Sequence, residues 1–110
     1  TDVGPNPVEY LLTALSGCMT SAMVYHAALR GIPIESLECT VEGDIDLRGF
    51  LGIANDVRRG YRNIRVMFTV GAAEKDLPRL KALSKQSPVY DTVLNGTPID
   101  IAVKQKPPAG

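Results

Sequence analysis

Hydrophobic and polar positions follow different rhythms in different parts of the chain. From Val8 to Leu29 the sequence is almost continuously apolar, and no Asp, Glu, Lys or Arg occurs between Tyr10 and Leu29. That run predicts a long helix. Asn6 suits its N-cap, Pro7 its first position, and Glu9 the positive end of its dipole. Gly31 and Pro33 stop it, and Arg30 complements its C-terminal end. A membrane-spanning helix needs about 20 such residues, but Thr13, Ser16, Thr20, Ser21 and His26 interrupt this one. A buried core helix is therefore the reading adopted. Its small residues, among them Ala14, Gly17, Ser21 and Ala28, let another backbone approach closely.

The rhythm then shortens to two. From Ile34 to Asp46, Leu37, Cys39 and Val41 share one face, while Glu38, Thr40 and Glu42 share the other, as in a half-buried strand. Tyr61 to Val70 forms a second strand on the same logic. Leu47 to Gly60 between them reads as a glycine-bearing loop with a local apolar patch, Phe50-Leu51-Gly52-Ile53. Asp76 opens a short helix with Leu77, Leu80 and Leu83 on one stripe, and Pro78 is tolerated in its first turn. Ser87-Pro88 caps a further helix ending at Asn95-Gly96. Ile99 to Val103 alternates as a third strand. The order α–β–β–α–α–β, with antiparallel central strands, gives an α+β class and one domain over residues 1–110. The first helix is apolar nearly all round, more than so short a chain can cover, which points to burial across a dimer interface.

Composition narrows the function classes. Twelve basic residues balance twelve acidic ones, so no global field draws the chain to nucleic acid or an anionic membrane. Two cysteines, Cys18 and Cys39, do not make a disulfide framework, and with one histidine, His26, no zinc ligand set is apparent. No cofactor or metal is expected. The first residues lack a secretory signal pattern, and the cysteine usage suits the cytoplasm. The chain begins with Thr1 rather than Met, as in a processed or truncated piece.

Cys18 is the candidate thiol. A reactive thiolate needs a nearby cation or a helix N-terminus, and Cys18 lies about three turns inside its helix, beyond useful reach of the dipole. Its cation must come from elsewhere in the fold, and the alternative is a small buried hydrophobe. His26 lies roughly 80° around the axis and ~12 Å along it from Cys18, too far to act as its base. Glu9 falls on the opposite side of the helix from Cys18 by the same count of about 100° per residue. Cys39 reads as a core residue and Ser87 as a cap.

Gly4-Pro5-Asn6-Pro7-Val8-Glu9-Tyr10-Leu11-Leu12, followed by Leu15-Ser16-Gly17-Cys18, resembles the helix opening of the OsmC-like superfamily, which includes organic hydroperoxide resistance proteins. Val41 to Gly49, the loop before Gly60-Tyr61, and Ser87-Pro88-Val89-Tyr90-Asp91-Thr92 agree in kind and order. The resemblance implies an intertwined homodimer, with long central helices wrapped by an antiparallel sheet from both subunits. The family's N-terminal strands have no counterpart here. In the family's peroxidases a thiolate attacks the peroxide, and the resulting sulfenic acid is resolved by a second cysteine. Cys18 matches the attacking position. Ser87 stands where the resolving cysteine belongs, and a hydroxyl cannot form that disulfide. Val8 occupies the place of a family glutamate, leaving Glu9 one residue late, and the family's thiolate-stabilising arginine lies outside this sequence. Two readings follow: a one-cysteine peroxide or stress-response protein using Cys18, reduced by an external thiol, or a non-catalytic module. The second would bind a small apolar ligand at the dimer interface near Cys18, with Phe50–Ile53 at the pocket mouth.

Overall fold

The computed structural model describes residues 6–107. The first helix, α1, runs Pro7–Leu29, and its ends form as the sequence dictates. Asn6 Oδ1 accepts the Glu9 amide at 3.0 Å. At the other end Gly31 takes a positive φ of 67°, which lets the Ile32 amide reach Ala27 O at 2.9 Å and the Gly31 amide reach Ala28 O at 3.2 Å. This is a Schellman closure, with Ile32 and Ala27 in apolar contact within the core. The Arg30 guanidinium folds back onto His26 O at 3.1 Å.

Two strands follow, β1 (Ser36–Ile45) and β2 (Tyr61–Gly71), paired antiparallel with Leu37 opposite Val70, Cys39 opposite Phe68 and Val41 opposite Val66. Opposed residues share a face, so these six make the half-buried side, and Cys39 sits where alternation placed it. The other side carries polar pairs: Arg65 Nε donates to Glu42 Oε1 at 2.7 Å and its Nη1 to Asp44 Oδ2 at 2.8 Å. A register irregularity follows Asp44.

Two predicted features differ. The expected loop after β1 contains a one-turn helix, α2 (Leu47–Leu51), capped by Asp46 and closed by Gly52 at φ 72°. Gly49 is required inside it, because a Cβ there would collide with the Arg58 and Val57 carbonyl oxygens. The expected third strand, Ile99–Val103, is not part of any sheet: the sheet has two strands, and Ile99, Ile101 and Val103 are 80, 84 and 91% exposed. No strand edge among the described residues meets them, so their alternation finds no ladder. Beyond β2, a 3-10 turn at Glu74–Asp76 leads into α3 (Leu77–Ser84), and α4 spans Pro88–Asn95.

The core sits around the C-terminal half of α1. Met23 and Ala27 pack with Ile32, Leu80 and Leu83, and Leu37, Phe68 and Val70 close over them. Only one stripe of α1 is covered, Leu15, Met19, Met23 and Ala27. The opposite stripe is exposed and its members, Tyr10, Ala14, Gly17, Ser21, Val24 and Ala28, recur at alternating spacings of four and three. The radius of gyration is 18.8 Å and the long axis 65 Å, against about 13 Å for a compact domain of this length.

Candidate functional site

Cys18 and Cys39 are both free and half-buried. The fold does not join them, which agrees with the reading of Cys39 as a sheet-face residue. Cys18 follows Gly17 on α1 and lies four residues from Ala14 and three from Ser21, so it borders the exposed stripe where its residues are small. A Cβ at Gly17 would meet nothing within 4 Å; this side of the helix is open.

Ser87 is buried, 1% exposed, at the start of α4. Its Oγ accepts the Tyr90 amide at 3.0 Å, so the hydroxyl serves as a helix cap, as the sequence predicts. Glu9 is exposed in the first turn of α1. Its neighbour Tyr61 was not anticipated. The Tyr61 hydroxyl donates to Val8 O at 2.7 Å, and its ring lies over Gly43, where a Cβ would press 2.6 Å from Cδ1. Burial, then the Glu9 charge, holds the Tyr61 phenol above its ordinary pKa, so it remains a donor throughout the neutral range. A glycine near an aromatic across a hairpin was the available signal; the reach to the helix was not encoded locally.

An open groove of about 1180 Å³ lies between α1, β2, α3 and α4. Its lining includes Leu15, Met19, Met23, Phe68, Leu80 and Ser84. Neither Cys18 nor the Phe50–Ile53 segment lines it. The groove belongs to a single chain and lies on the inward face of α1. Phe50, Leu51 and Ile53 instead project outward, 72, 62 and 71% exposed. The four charged side chains on the groove wall, Arg58, Arg62, Lys81 and Lys85, are all basic.

Among the described residues no cluster of His, Cys, Asp or Glu could hold a metal ion, and no helix is long and apolar enough to cross a membrane. The model of the OsmC-like protein family matches residues 1–102. An OsmC-like protein from Mycoplasma pneumoniae has a similar solved structure, with a TM-score of 0.73 and 22% identity over 84% of this chain and 64% of that one. An OsmC-like protein of unknown function from Vibrio cholerae superposes with a TM-score of 0.57 and 14% identity, over 84% of this chain and 60% of its own. The chain thus spans less than two thirds of either structure. No curated protein sequence matches it.

Proposed function

The chain belongs to the OsmC-like protein family, and from that premise we propose that it is a homodimeric stress-response protein whose chemistry is carried by Cys18 alone. The observation that carries this reading is the free Cys18 thiol beside the uncovered stripe of α1. A 4-3 spacing of uncovered residues with small Ala14, Gly17 and Ser21 at its centre suits close helix packing, and the elongated shape of the isolated chain suits one that completes its core against a second copy. Cys18 then lies in the seam between them. Its thiolate attacks the distal oxygen of an organic hydroperoxide; the O–O bond breaks, the alcohol leaves with a proton, and Cys18 becomes a sulfenic acid. One external thiol condenses with it, releasing water, and a second reduces the mixed disulfide, returning the Cys18 thiol and an oxidised external disulfide. With Ser87 engaged as a cap, no internal resolving step competes. A reducing cytoplasm would supply such thiols.

The test is consumption of cumene hydroperoxide with dithiothreitol as reductant. The wild-type and Cys39→Ser chains are expected to turn over peroxide and Cys18→Ser to lose all activity above the uncatalysed rate. Equal rates in all three, or none in the wild type, would refute the catalytic reading.

A second reading is favoured by the groove, whose volume and apolar floor suit a small apolar ligand. It places binding on the inward face of α1 and does not require Cys18 to react.

A further inference from the structure

We infer that the groove is a binding site for an anionic single-chain amphiphile, a long-chain carboxylate, with the acyl chain along α1 and the head group at Lys81 and Lys85. This rests on the reading of the groove as a ligand site and is independent of Cys18 chemistry. Three observations converge on it.

The first is shape. Val8, Leu11, Leu15, Met19 and Met23 line the groove in one continuous stripe, and fifteen residues of helix rise about 22 Å. That is the length of an extended acyl chain of sixteen to eighteen carbons, and the two methionines give the floor the adaptability a flexible chain needs.

The second is charge. The protein as a whole is balanced, with twelve basic and twelve acidic residues, yet every charged side chain lining the groove is a cation. The salt bridges among the described residues engage Arg48 and Arg65, and none of the four groove cations. At the β2 end the Arg62 charge acts on Asp44 and Asp46, and Glu9 stands by Tyr61. That end is therefore partly neutralised, which leaves the α3 side as the anion-accepting one.

The third is the arrangement on α3. Lys81 and Lys85 are four residues apart, neighbours on one helix face where like charges repel. Leu80 forms the floor beside them, 1% exposed, and Ser84 lies between them with its hydroxyl donating to Lys81 O at 2.6 Å. A carboxylate set between the two ammonium groups relieves the repulsion while its chain covers the apolar floor. An uncharged ligand would do only the second, and a cation would worsen the first.

The test is isothermal titration of the full chain with three matched twelve-carbon probes, laurate, dodecanol and dodecylammonium, each below its micelle concentration. Laurate is expected to bind saturably and at least tenfold tighter than dodecanol, with dodecylammonium weakest. Lengthening the carboxylate to fourteen carbons should tighten binding by roughly three- to fourfold for each added methylene. The Lys81→Gln/Lys85→Gln double variant should weaken laurate binding at least tenfold and leave dodecanol within twofold. Both lysines are exposed, so folding is not at stake, and salt should weaken laurate binding more in the wild type than in the variant. Equal affinity for the three head groups, or no response to the lysine changes, would overturn the head-group assignment while sparing an apolar-ligand site. No saturable binding of any probe, as when a second copy fills the groove, would overturn the site itself, and peroxide turnover by Cys18 would be untouched.

Discussion

The two ends of α1 are held in place by different physics. Around its C-terminal half, Met23 and Ala27 are buried to about 1% exposure against Leu80, Leu83 and Ile32. Around its N-terminal half the anchors are polar and directional: the Asn6 cap and the hydroxyl of Tyr61 on Val8 O. The nearby tip of the hairpin is likewise set by Asp46, Arg48 and Gly49 while Leu47, Phe50, Leu51 and Ile53 face outward. Apolar burial is non-directional and closes space. Hydrogen bonds fix positions without filling volume, and so the groove stays open along a helix whose ends are both secured.

The largest effect should come from the packed end. Leu80→Ala removes a side chain that is 1% exposed and touches the main core cluster, and such truncations cost about 2–5 kcal/mol. Urea unfolding should show it as a lowered midpoint with an unchanged slope. Because Leu80 also floors the groove, a loss far below that range would mean that the floor collapses readily and the two ends differ less than their contacts suggest.

Tyr61→Phe probes the polar end with a smaller change. It deletes one hydroxyl and keeps the ring over Gly43, so the expected loss is about 1 kcal/mol, the net worth of one hydrogen bond. Amide exchange separates the ends: protection should fall in the first turns of α1 and at the start of β2 and persist around Met23. A uniform fall would show that the hydroxyl supports the whole fold rather than one end.

Much of this division was legible in the sequence, and the illegible parts share a cause. Asn6-Pro7 and Arg30-Gly31 bracket α1 because caps are local chemistry; the same holds for Ser87-Pro88 and Gly96 around α4. Alternation located β1 and β2 and put Cys39 on the covered face. The one-turn α2 escaped because five residues hold too little periodicity, and Gly49, a poor helix former, masked it. Ile99 to Val103 misled in the opposite direction: alternation reports which side chains share a face, whereas a ladder also needs a partner edge. Cys18 and Ser87 could be singled out from the chain. The groove could not, since its walls come from four elements and its cations from three separate stretches.

The smallest effect, and the sharpest test of the polar end, concerns Asp46. The Arg48 side chain, joined by Nη2 at 2.6 Å and Nε at 3.0 Å, and then the Arg48 amide, hold the Asp46 carboxyl down to about 2, from an ordinary value of 3.8. A carboxyl depressed by folding binds its proton more weakly in the native state than in the unfolded one. It therefore contributes stability in full above the unfolded value near 3.8 and loses it as pH falls toward 2. Carbon-detected titration should place the Asp46 midpoint near 2, and Arg48→Gln should move it up toward 3.8. Arg48 is exposed, so solvent screens the pair and the change in global stability at pH 7 should be small. An unmoved midpoint in the variant would assign the shift to the helix cap alone. A large loss of global stability would mean that the tip, for all its exposed apolar side chains, is coupled to the core at the far end of α1.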